Sequence, residues 1–457
     1  VMSGMETGAG AAPAAGPRVT RGRLLRRAAV ALAPLASGAG LAACGGQSAA
    51  QPPAAPSSQP VTLVLNTDWI GASPRGQVTE GALKEYRTRF PNVTVQTEPL
   101  DGDTADKLTA LIVSDTIGDV SLWTHHLVVY FARRNFFADL GPYLKANAFS
   151  MDDVYFIPEI CYFEKKLLAV PFQLNLFDWT YNKTLFRQKG IAAPPESWTF
   201  DQMVETARRL TDAEQNVWGL DWSITTGNPN LWVTPIRANG GALLNPAFTK
   251  TTLNEPAAVE TAQLIVDVIN KHQAAPARQV VADRKLSFGA GNFAMAFGVG
   301  VGRALDRQMG DGGQEWDFFT SPTWPKSGKR GVQANLQPLI VPAAKKQREH
   351  AVRLAFFMGG EYVQGLIADA GNTAPTLKKL IDSDRYLPAT HRRKISLDGN
   401  AYRWGMGSNF EQYLPWRRAV EAEIFKGWDG QIPARAMAES ATAAGDAALA
   451  ANGVKVG

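Results

Sequence analysis

Cysteine is nearly absent: the 457-residue chain has two, Cys44 and Cys161. At most one disulfide can form, which excludes a small disulfide-stapled scaffold. Histidine is scarce too, at five residues. His125 and His126 are adjacent, but strand neighbours point to opposite faces and no second His or Cys cluster lies nearby, so no metal site is expected there. The uncharged run from Ala28 to Ala43, about 16 residues and broken by Pro34, falls short of the roughly 20 that a membrane-spanning helix needs. Gly-x-Ser-x-Gly, His-Glu-x-x-His and Gly-x-x-x-x-Gly-Lys-Ser/Thr are all missing, which removes the commonest hydrolase, metalloprotease and phosphate-loop signatures. "GVGVGR" at 298–303 follows an apolar burst as a dinucleotide loop would, but Arg303 stands where the last glycine belongs. No catalysis and no cofactor are expected.

What is present begins at the amino end. Arg18, Arg21, Arg23, Arg26 and Arg27 precede the uncharged run with no acid among them, the order of a basic then an apolar region in a secretory signal. "TRGRLLR" resembles a twin-arginine export signal in which Gly22 replaces the second arginine, so the export route stays open. Leu41-Ala42-Ala43-Cys44 resembles the lipobox of bacterial lipoproteins, in which the cysteine is lipidated and becomes the first mature residue. Residues 1–43 are thus expected to be a signal peptide, with Cys44 the lipidation site. Residues 44–60 follow as a tether, because "GGQSAAQPPAAPSSQP" has too little apolar surface to offset the entropy of ordering it. The remainder is expected outside the cytoplasm, on the periplasmic or cell-surface side of the membrane that holds the lipid.

Charge belongs mostly to that signal. Residues 1–43 contain five of the 47 basic residues and one of the 42 acidic ones, so 42 basic and 41 acidic residues remain. A balance of +1 gives no support to nucleic-acid binding. Roughly 400 residues after the tether are too many for one core and enough for two domains. Twelve tryptophans are many for this length; most are expected in the core, and some on a flat apolar face of a ligand.

"VTLVL" at 61–65 reads as a strand, and Val78, Ala82, Tyr86 and Phe90 with Leu83 define an amphipathic helix that stops at Pro91-Asn92. Val93 and Val95 begin a second strand and "DVSLW" at 119–123 a third, the start of a largely parallel α/β sheet. "LLAVPF" and "LFDWTY" flank Gln173 and Asn175. Thr199 and Gln202 form a capping box ahead of Met203, Ala207 and Leu210. Pro256 opens a helix whose buried stripe is expected to be Val259, Ala262, Val266 and Ile269. "FAMAF" at 293–297 and "LQPLIV" at 336–341 look like buried strands, Gly359-Gly360 a helix stop, and 434–451 a terminal helix.

At this point the chain resembles the extracellular solute-binding proteins of ATP-binding cassette importers, in the sugar-binding branch that includes maltodextrin-binding proteins. "YNKTLFRQKGIAAPPESWTFDQMVETARRLT" at 181–211 carries the likeness most specifically. "ANGGALL" at 238–244, "FGAGNFAMAFGVG" at 288–300 and "KGWDGQIPARAMAE" at 426–439 follow in the same order. The resemblance implies an α/β, two-lobed periplasmic-binding-protein-like fold of type II, with the ligand in a cleft between lobes that close about a hinge. By analogy, lobe 1 is 61–173 plus 330–374 and lobe 2 is 174–329 plus 375–457. The implied partners are a small solute, a carbohydrate first, and the membrane permease of the importer; a monomer is expected. A sensor subunit, or a binder of a non-sugar solute or a metal, remains the alternative.

Sugar recognition stacks an aromatic face on the pyranose and aims planar polar groups at its hydroxyls. In the family, the loops after the first and third strands carry an acid and a stacking tryptophan, which places Asp68 and Trp123 in those roles. Trp69, His125 and His126 are this chain's own residues in those loops. Asn175 falls where sugar-binding relatives often have an acid, and Asn228, Asn230 and Trp232 lie in a further contact loop. Gly298, Gly300 and Gly302 allow close backbone approach. The tryptophan that relatives carry there is replaced by Val299 or Val301, so its stacking role is missing or moved to Phe297 or Trp404. Gln333 and Asn335 complete the expected site. One acid with several amides and aromatics points to a small neutral sugar, polyol or glycoside.

Overall fold

The computed structural model describes residues 58–100, 104–123, 131–132, 134–156, 161–222, 230–298, 302–391, 393–399, 403–405 and 413–451. Residues 1–43, Cys44 and most of the tether lie outside them, as do His125, His126 and Asn228. The side chains of Asn230 and Trp404 are outside the description as well.

In chain order the strands are β1 (Val61–Thr67), β2 (Val93–Pro99), β3 (Val120–Leu122), β4 (Tyr162–Phe163), β5 (Lys166–Leu167) and β6 (Ala169–Phe177). They continue with β7 (Trp179–Asn182), β8 (Trp218–Asp221), β9 (Phe293–Phe297), β10 (Trp316–Phe318), β11 (Val332–Ile340) and β12 (Arg403–Gly405). The first sheet runs β12-β11-β3-β1-β2, with β6 along the other edge of β11. The second runs β10-β7-β9-β8. β1 pairs in parallel with β2 and β3, as the strand-helix-strand rhythm predicts. The returning strand β11 is antiparallel to β3 and β6, and β7 is antiparallel to β9 and β10, so both sheets are mixed.

Two hydrophobic clusters pack against these sheets. The first gathers Leu63, Leu65, Val120, Leu174, Leu336 and Ile340, and also takes in Phe293 and Ala296 of β9 and Trp316 and Phe318 of β10; the other gathers Trp179, Phe200, Met203, Leu220, Met295 and Trp416. The chain passes from the first sheet to the second at Asp178, the one residue between β6 and β7. That residue is buried; its carboxylate accepts from the Ser396 hydroxyl and its carbonyl from Gly298 N–H.

Local signals account for the elements around this frame. The helix Phe200–Leu210 has its capping box: Thr199 Oγ1 accepts from Gln202 N–H at 3.3 Å and Thr199 N–H donates to Gln202 Oε1 at 2.9 Å. Such a cap stabilises by about 1 kcal/mol. The helix Arg348–Gly359 ends at the predicted glycine pair, and Ala434–Ala451 is helical. The helix Pro256–Val266 corrects one expectation. Its buried face is Ala258, Thr261, Ala262 and Ile265, with Val259 and Val266 only half-buried. Thr261 can occupy the core because its hydroxyl donates to Ala257 O at 2.8 Å.

In the helix Tyr413–Trp428, Glu421 is buried at 6% exposure beside Trp232. Burial pushes its carboxyl up to about 7; Arg417, 3.6 Å away, and the Trp232 indole offset this only in part. A carboxyl raised in the folded state binds its proton more tightly there than in the unfolded chain. Its stabilising contribution is therefore complete below about pH 4.5 and is lost as pH rises through about 7, a change on the order of 3 kcal/mol. Glu421→Gln is expected to flatten the fall of melting temperature between about pH 5 and pH 8, read by circular dichroism. Parallel pH profiles for the two proteins would contradict this.

Candidate functional site

β6 and β11 pair along almost their whole length: Asn175 lies opposite Asn335 and Gln173 opposite Gln337, with Gln333 opposite Phe177. Side chains alternate faces along a strand, and directly opposed residues share a face with Cβ atoms about 5 Å apart. Gln173 and Asn175 therefore stand in one row with Gln333, Asn335 and Gln337. The other face carries Leu174, Leu176, Ala334 and Leu336, all in the first core. The segments "QLNLF" and "VQANLQPLI" encode this division as a period of two.

Hydrogen bonds tie two members of the row to other elements. Thr234, on the helix Asn230–Ala238, donates to Gln333 Oε1 at 3.2 Å. Thr373 donates to Asn175 Oδ1 at 3.0 Å and to Leu174 O at 2.9 Å. The other three amide oxygens, Gln173 Oε1, Asn335 Oδ1 and Gln337 Oε1, are buried and have no partner among the described residues. Gln173 and Gln333 are 1% and 2% exposed. β12 extends the same sheet, its Trp404 backbone paired with Gln333.

Gly302 and the helix Arg303–Asp311 that it precedes lie close to the strap that follows the helix Glu361–Ala370. Ala304 N–H donates to Gly371 O at 3.1 Å, Arg303 Nε to Arg385 O at 2.6 Å and Arg307 Nη2 to Ala370 O at 3.1 Å. Gly302 has φ of 143°, and a Cβ there would sit 2.5 Å from Gly371 O, so only glycine fits. Gly298 also has a positive φ, 76°.

The aromatic candidates sit elsewhere. Trp123, predicted to stack on a sugar, is fully buried, with Phe131 and Phe137 edge-on at 5.2 and 5.0 Å and Phe136 stacked at 6.2 Å. Contacts of this kind add about 0.5–1.5 kcal/mol each beyond area burial, which favours the enclosed position. Trp69 is likewise buried, packed on Phe172 at 4.9 Å, and Trp232 lies in the second core against Trp416. Phe297 packs on Trp179 at 4.9 Å. Every described tryptophan side chain except Trp218 is buried, so none of these four aromatics presents an open face in this conformation. Asp68 directly follows β1, its carboxylate 3.8 Å from Arg75; partial burial raises its pKa and the guanidinium counters this.

Two mixed sheets, with the chain passing from one to the other at the end of a strand that bears a polar row, are the architecture of two-lobed solute-binding proteins. Residues 71–364 match the model of the bacterial extracellular solute-binding protein family, and the chain belongs to that family. The fold is shared with an ABC substrate-binding protein of Listeria monocytogenes in complex with cycloalternan, at 19% identity and a TM-score of 0.74 over 87% of this chain and 100% of that one. Maltose-bound MalE3 of T. maritima gives 17% identity and 0.70 over 84% and 98%. UgpB of Mycobacterium tuberculosis, in complex with glycerophosphocholine, gives 18% and 0.70 over 87% and 100%.

Gln337 escaped the sequence reading, and Gln173 was noted there without a role. The signal was the spacing itself, Gln-x-Asn in one segment and Gln-x-Asn-x-Gln in the other. Only the pairing of β6 with β11 turns these two patterns into one surface.

Proposed function

We propose that the protein captures a neutral carbohydrate in the cleft between its lobes and delivers it to the membrane permease of an ATP-binding cassette importer. The lobes would be 61–173 with 330–374 and 174–329 with 375–457, and the protein would act as a monomer without catalysis. The observation that carries the carbohydrate reading is the row of uncharged amides on the crossing strands β6 and β11, a donor and acceptor set suited to hydroxyl groups. Relatives of the same fold bound to cycloalternan and to maltose support the same ligand class. Asp68, Asn175, Gln333 and Asn335 are retained as ligand contacts, and Gln173 and Gln337 join them. His125, His126, Asn228, Asn230 and Trp404 are candidates from their positions in the sequence.

A lipid on Cys44 would hold the protein at the outer side of the membrane, with the residues up to 60 as its tether. Among the described residues no helix is long and apolar enough to cross a membrane.

Melting temperature measured against maltotriose, cycloalternan, tagatose, polyols, amino acids and divalent metals tests the ligand class. A bound sugar at 100 times its dissociation constant stabilises the folded state by about 2.7 kcal/mol, a shift of a few degrees. A shift with an amino acid or a metal and with no carbohydrate would refute the reading. Cell fractionation tests the anchor: Cys44→Ser is expected to move the protein from the membrane to the soluble fraction, and retention at the membrane would rule out lipid on Cys44.

A further inference from the structure

Three amide oxygens on one face of the paired strands, Gln173 Oε1, Asn335 Oδ1 and Gln337 Oε1, are buried without a partner among the described residues, and Asn372 Oδ1, beside Thr373, is a fourth. Leaving a buried polar atom unpaired costs about 1–3 kcal/mol, and native proteins keep such atoms to a few per hundred residues. A cluster of them on two paired strands is therefore a feature that folding stability alone disfavours. The alternative is visible on the reverse face of the same strands, where Leu174, Leu176, Ala334 and Leu336 fill the equivalent positions with hydrocarbon. Sequence position does not force the difference; both faces are presented by the same two segments.

Resting on the carbohydrate reading above, we infer that this amide row is the floor of the ligand site and that it selects uncharged, hydroxyl-rich molecules against anionic ones such as phosphate esters. A half-turn of an amide exchanges its oxygen for its NH2 group, so the row offers acceptors and donors in either order. A hydroxyl serves both, because it donates one proton and accepts two. A phosphate oxygen only accepts, and it brings a charge whose loss of water no cation within the row offsets. The two tethered members set the geometry: Thr234 holds Gln333 and Thr373 holds Asn175, leaving Gln173, Asn335 and Gln337 to meet the ligand.

The test uses the near-isosteric variants Gln173→Met and Gln337→Met, singly and together, in the whole protein. Their melting temperatures without ligand are expected to equal or exceed that of the wild type, because each removes an atom the protein does not itself satisfy. Their affinities for maltotriose, cycloalternan or tagatose, whichever binds the wild type, are expected to fall at least tenfold by titration calorimetry. Glucose 6-phosphate and glycerophosphocholine are expected to bind the wild type at least tenfold more weakly than that sugar. A fall of several degrees in the variants without ligand makes the amides structural and overturns the inference. Sugar binding that survives in the double variant overturns it too, while leaving the carbohydrate reading intact. Preference for either phosphate compound overturns the selectivity and the carbohydrate reading together. If no probe shifts the wild type, the carbohydrate reading falls, and the unliganded melting of the Met variants still decides whether the row is structural.

Discussion

The ladder between β6 and β11 is the constraint on which the rest depends. It joins segments from the middle and the later part of the chain, fixes which face of each strand is apolar, and carries the chain from the first sheet toward the second at Asp178. A slip of one residue would turn Leu174 and Leu336 outward and bring the amides into the first core, so register is specified by hydrophobic burial. The shift between Gln337 and Pro338 places the irregularity past the last paired amides, where β11 turns to meet β3. Burial on one face thus sets the polar geometry on the other.

Around that ladder two hydrophobic clusters form, the first of them reaching both sheets. Aromatic contacts close both cores: Trp123 within a cluster of phenylalanines in one, Trp179 among Phe200, Trp222, Phe297 and Phe319 in the other. The contacts of Gly302 with Gly371, and of Arg303 and Arg307 with nearby carbonyls, link the segment after β9 to the strap after the helix Glu361–Ala370. The approach of Gly302 to Gly371 is between backbones and needs glycine on both sides.

Local features were legible in the sequence because their causes are local. The Thr199 capping box, the apolar run of β9 and the stop at Gly359 each depend on residues a few positions apart, and each formed where expected. The stripe of the helix opened by Pro256 was misplaced because a hydrogen-bonded Thr261 competes with valine for the core. The tryptophans misled for a related reason. Exposure of Trp123 is decided by Phe131, Phe136 and Phe137, and nothing in the spacing of those residues says that they will fold over it. The amide row was half legible: Asn175, Gln333 and Asn335 were recognised one by one, but the pairing that makes them a surface with Gln173 and Gln337 is long-range.

The most direct measurement is a crystal structure of the protein grown with the carbohydrate that raises its melting temperature most. The expected result is a sugar whose hydroxyl oxygens lie within hydrogen-bond distance of Gln173, Asn335 and Gln337. A bound sugar held elsewhere, with those three amides satisfied by water or by one another, would contradict the central claim.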